Sequence, residues 1–81
     1  MPHDRELNEV NELARRYAEL AQADRREDKP EAKGIVATMA KLGPIEVAYF
    51  CQQVISYYAD VHKATMALTI FTNRLVDVID T

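Results

Sequence analysis

Few side chains in this sequence could carry nucleophilic, acid–base or metal chemistry. Cys51 is the only cysteine, and His3 and His62 are the only histidines. A reactive thiolate needs a cation, a histidine or a helix N-terminus beside it to lower its pKa. Cys51 stands in Tyr49-Phe50-Cys51-Gln52-Gln53-Val54 with no such neighbour, and reads as a buried apolar thiol. His62 lies close to Tyr58, Asp60 and Lys63, which makes it a candidate general base. A single helical histidine among charges is more simply a surface residue. A zinc site takes about four ligands, and Cys51, His3 and His62 are far apart in the chain. Gly34 and Gly43 are the only glycines, so there is no glycine-rich phosphate loop, and no CxxC, HExxH or EF-hand pattern occurs. The sequence therefore predicts no catalytic residues, no metal and no cofactor. The chemistry that remains is recognition. Tyr49, Tyr57 and Tyr58 bring large apolar rings with polar tips, the combination favoured at protein interfaces.

Composition narrows the classes further. A chain of 81 residues makes one domain with a marginal core. Small domains often add disulfides, a metal or a second subunit; a lone cysteine closes the first route and the sparse ligands close the second, leaving self-association. A net charge of −3 provides no basic field for nucleic acid and is too mild for a DNA mimic. The first twenty or so residues are charged throughout, unlike a secretory signal. The longest charge-free run, residues 47–59, contains Gln52, Gln53 and Ser56 and is shorter than the ~20 residues a bilayer needs. A soluble, cytoplasmic protein is expected.

Apolar spacing predicts a single all-α domain over residues 1–81, with three helices at about 4–23, 31–42 and 44–80 in a helical hairpin or bundle. In the first, Leu7, Val10, Leu13, Ala14, Tyr17, Leu20 and Ala21 share one face, and Glu9, Glu12, Arg15, Arg16 and Glu19 the other. Asp4 is the expected N-cap, with Glu6 in the first turn. Residues 24–33 have no apolar period and read as a charged connector, with Pro30 in the first turn of the next helix. Ile35, Val36, Met39 and Leu42 form the second helix's apolar side. Gly43-Pro44 is a strong stop and restart, with Gly43 expected in the left-handed conformation that closes a helix.

The third segment dominates. Val47, Phe50, Val54, Tyr57, Val61, Ala64, Leu68, Phe71, Leu75 and Val78 recur at steps of three and four. A second stripe runs through Ala48, Ile55, Ala59, Met66 and Ile70. The short run 64–72 is rich in β-branched residues, but no partner strand is evident, and it is assigned to helix. A straight helix here would be about 50 Å long, against about 30 and 18 Å for the other two, so its apolar surface outruns its partners. Either the segment breaks at residues 59–63, with Asp60 as a new N-cap, or it stays straight in a dimeric coiled-coil-like bundle. The spacing passes through Tyr57, Val61 and Ala64 without a slip, and no Gly, Pro or Asn marks a turn, which favours the dimer. The expected interface comprises Phe50, Val54, Tyr57, Tyr58, Val61, Leu68, Phe71 and Leu75. The second stripe then needs the second helix, another mate or a foreign protein.

The functional expectation is a protein–protein interaction module, homodimeric, serving as regulator, adaptor or stoichiometric inhibitor of an unidentified protein. A small acidic chain without catalytic apparatus fits inhibitors of the phage or mobile-element kind. The alternative is a DNA-associated transcriptional regulator in which residues 38–53 form a helix-turn-helix-like unit. That unit would present Glu46, Tyr49, Gln52 and Gln53 to bases, with Arg15, Arg16, Arg25 and Arg26 on phosphates. Glu46 opposes phosphate, and no cation follows until Lys63.

Overall fold

The computed structural model describes residues 2–80, with side chains from residue 7 onward. Four α-helices follow one another: α1 Pro2–Ala23, α2 Lys29–Ala40, α3 Pro44–Ser56 and α4 Val61–Ile79, with a 3-10 turn at Arg26–Asp28 before α2. The described residues contain no strand, so the β-branched run is helical as assigned. No helix among them is long and apolar enough to cross a membrane.

The expected third helix is two helices. Phe50 and Phe71 explain why. In a straight helix their backbones would lie about 31 Å apart, yet their ring centroids are 4.6 Å apart, and both touch Tyr17 of α1 edge-on, at 5.7 and 5.6 Å. Folding back lets both arms of the seam bury into one core. The phase is unbroken because both arms face the same interior. The turn needs no glycine. The backbone N–H groups of Tyr57 and Tyr58 donate to Val54 and Ile55 carbonyls at 3.1 Å, tightening the end of α3. Asp60 then takes an extended conformation, and its carboxylate accepts from the backbone N–H groups of His62 and Lys63 at 2.9 and 3.4 Å. This is the N-cap expected at that position.

Other boundaries shift slightly. α1 begins at Pro2, so Asp4 lies within the helix rather than before it; the side chains of Asp4 and Glu6 lie outside the described residues. α1 ends where Asp24 adopts φ 49° and donates to the Leu20 carbonyl at 3.0 Å, a left-handed cap that Asp tolerates. Gly43 is not left-handed. Its φ of −79° and ψ of 173° make it the extended N-cap of α3, with Pro44 in the first turn, and α2 closes earlier, at Ala40. The tip of the Glu46 side chain folds back over Gly43, 2.9 Å from where a Cβ would stand, a contact that a flexible carboxylate can relieve by moving.

The core unites all four helices. Val10, Ala14, Tyr17 and Leu20 of α1 meet Ile35, Val36 and Met39 of α2, Phe50 and Val54 of α3, and Phe71 of α4. α1 packs chiefly on α3, and α2 chiefly on α4. Burying each large side chain contributes about 1.5–3 kcal/mol, and this layer is what holds the outer faces in place.

Candidate interaction surface

Once the seam folds onto itself, the residues expected at a dimer interface separate into three groups. Phe50, Val54 and Phe71, expected at a dimer interface, are fully buried in the chain's own core. Tyr57, Tyr58, Leu68 and Leu75 are partly buried against that core. Val61 is exposed at the start of α4. The straight coiled-coil packing is thereby replaced: the mate that covers the main seam is the other arm of the same chain.

The second stripe is what stays outside. On α3, Ile45, Ala48, Gln52 and Ile55 recur at steps of three, four and three and are all exposed, Ile45 at 76% and Ile55 at 41%. On α4, Met66 and Ile70 are exposed at 57% and 49%. The outward residues between Lys63 and Arg74 are Thr65, Met66, Thr69, Ile70, Thr72 and Asn73, none charged. Thr65 and Thr69 turn their hydroxyls back onto the carbonyls of Val61 and Thr65, each at 3.0 Å. Their methyl groups are then the part left for solvent or a partner. Exposed large apolar residues grouped along a helix are candidates for a contact surface.

Three of the four arginines of the DNA-binding alternative are paired with carboxylates, and Arg26 is exposed. Arg15 bonds Glu12 and Glu19, Arg16 grips Glu31 with two nitrogens at 2.5 and 2.9 Å, and Arg25 bonds Asp28 at 2.8 Å. The guanidinium of Arg16 holds the Glu31 carboxyl below its usual range. Of the residues that would read bases, Glu46 lies over Gly43, Tyr49 is packed on the core, Gln53 is tied to Asn11, and Gln52 is exposed.

Asn11 is a site the sequence reading passed over. Its Oδ1 accepts from Gln53 Nε2 and from the Tyr57 hydroxyl, both at 2.7 Å, and Gln22 donates to the Tyr57 carbonyl at 3.2 Å. These bonds fasten α1 to α3 and satisfy an end carbonyl of α3. The available signal was an uncharged polar residue one step from Val10, at the border of the apolar face.

The two described candidates for chemistry, Cys51 and His62, lie on different helices, α3 and α4. Cys51 is half-buried, and burial pushes its thiol pKa up, away from the thiolate. His62 is exposed, and it is its backbone N–H that Asp60 engages. Among the described residues no three His, Cys, Asp or Glu side chains gather as a metal would need; His3 lies outside the described side chains. A cavity of about 110 Å³ between α1, the start of α2 and α4 is walled by Leu20, Ala32, Ala67 and Ile70. Tyr17 and Arg74 also line it; burial raises the Tyr17 pKa, and the Arg74 charge and hydrogen bond oppose that rise. No protein-family model, curated protein or solved structure matches the chain.

Proposed function

We propose that this protein is a non-enzymatic protein–protein interaction module that acts as a regulator, adaptor or stoichiometric inhibitor of another protein, docking through the outer strip of α3. One observation carries the reading: Ile45, Ala48, Gln52 and Ile55 form an exposed strip without a charge on a helix whose other side is fixed in the core. Interface cores are depleted of charged residues in the same way. The mode is a rigid helix face laid into an apolar groove of the target, which blocks or bridges whatever that groove normally holds.

The test is affinity capture from a lysate of the source cell followed by direct binding of the captured protein to purified variants. Ile45→Asp combined with Ile55→Asp is expected to weaken binding at least about a hundredfold, since each substitution sets an unpaired charge into the contact. Circular dichroism should show unchanged helix content, because both side chains already face solvent. Cys51→Ser and His62→Ala should bind like the wild type. Unchanged binding by the Ile45/Ile55 variant would remove α3 as the docking face, and a substrate turned over only with Cys51 or His62 intact would replace the reading with an enzymatic one.

A further inference from the structure

We infer that the outer face of α4 pairs with the same face of a second copy of this chain, in an antiparallel two-fold contact centred on Ile70. Lys63, Met66, Ile70, Asn73 and Asp77 recur on α4 at steps of three, four, three and four, and every one of them is exposed. That spacing makes one seam along the helix. The two ends of the seam, Lys63 and Asp77, lie seven residues to either side of Ile70 and are opposite in charge. An antiparallel copy therefore sets Ile70 on Ile70, Met66 level with Arg74 and next to Asn73, and Lys63 of each copy toward Asp77 of the other. A parallel copy would set Lys63 on Lys63 and Asp77 on Asp77, with like charges opposed at both ends. A self-complementary patch of this kind is what a two-fold contact requires.

The flanks suit a helix mate. On one side the Thr69 hydroxyl is already satisfied by its own helix, so covering it strands no donor. On the other lies an open groove of about 470 Å³ lined by Ala21, Gln22, Asp24, Tyr58, Met66 and Ile70, among others. It offers space to the unbranched, adaptable Met66 of the second copy. Asp77 already has an interaction within its own chain, and exposed ion pairs contribute little energy, so the Lys63–Asp77 match sets direction and register, while Met66 and Ile70 supply the affinity. α4 is about 28 Å long and about 10 Å across. That face offers roughly 300 Å² per copy, well below the roughly 800 Å² per partner of a standard interface. The dimer is accordingly a weak and reversible one, with a Kd expected in the upper micromolar range. It uses a different helix from the α3 docking strip, and the two stand or fall separately.

Sedimentation equilibrium of the full chain from about 5 μM to about 1 mM, spanning that strength, is the test. The wild type should pass from monomer to dimer across this range. Ile70→Asp should raise the dimer Kd more than about tenfold with unchanged circular dichroism. Lys63→Asp should also weaken the dimer, and adding Asp77→Lys to it should restore the dimer, because the two ends exchange charge. A wild type monomeric throughout would overturn the inference. So would a folded Ile70→Asp variant that still dimerises, or a double variant no better than Lys63→Asp alone.

Discussion

The outer face of α1 and the outer faces of α3 and α4 cover the same core and are built in opposite ways. On α1 the outward residues Glu12, Arg15, Arg16 and Glu19 form a chain of ion pairs that continues to Glu31 of α2. On α3 the outward residues include Ile45, Ala48 and Ile55 beside Gln52, and on α4, between Lys63 and Asp77, they include Met66 and Ile70 interleaved with Thr and Asn. Beneath both, Tyr17 of α1 and Phe50 and Phe71 of α3 and α4 meet ring to ring. The difference therefore does not arise from the needs of the core, which all three helices serve alike. A charged, self-paired face is suited to water. A face of exposed isoleucines is costly in water and becomes favourable when covered.

The comparison can be broken at several levels. The deepest is the shared core. Phe71→Ala should cost about 3–5 kcal/mol, close to the whole stability of a small domain, and urea denaturation should find it largely unfolded. A loss below about 1 kcal/mol would mean that the rings do not support both faces. Next is the tie between α1 and α3. Asn11→Ala leaves the Gln53 amide and the Tyr57 hydroxyl without their acceptor and should cost about 1–3 kcal/mol in the same assay.

The fold-back itself gives a smaller effect. Asp60→Ala removes the cap of α4 and should cost about 1 kcal/mol, read as a lower thermal midpoint with the helix content retained. Smallest is the charged face. Arg15→Ala should leave the thermal midpoint nearly unchanged despite its two carboxylate partners, because exposed ion pairs are screened by water. The Arg16–Glu31 pair adds a pH signature. Glu31 has a depressed carboxyl in the folded state, so its stabilisation is present above the unfolded value of about 4.3 and fades as pH falls through the folded value. Thermal midpoints of the wild type and Arg16→Ala should differ at pH 7 and converge under acid.

Much of this architecture was legible in the sequence. The helical spacing identified an all-α chain, Gly43-Pro44 marked the start of α3, and the apolar surface of the C-terminal segment outran the partners that a straight helix would have, with the cover of its second stripe left open. In the structure Ile55, Met66 and Ile70 of that stripe are outside, and the Phe50–Phe71 seam is inside. The fold-back itself was harder to read. Tyr57, Tyr58 and Ala59 contain no residue that breaks a helix, and unbroken spacing looks the same in one straight helix and in two arms facing one core. Asp60 was the one local sign, and its meaning depends on Phe50 reaching Phe71 across the turn. Gln53 and Asn11 were equally silent, because a bond between residues on different helices leaves no periodic trace.

The fold-back decides which stripe faces outward, and a distance across it tests that most directly. Spin labels at positions 48 and 76 of a Cys51→Ser background, both exposed in the wild-type fold, would report it in samples diluted with unlabelled protein to suppress contacts between copies. A folded-back chain, whose Phe50 and Phe71 rings meet at 4.6 Å, should give a distance clearly shorter than the straight-helix value. A distance near 42 Å, about what 28 residues of straight helix would span, would contradict the account and return the Phe50–Phe71 seam to the surface.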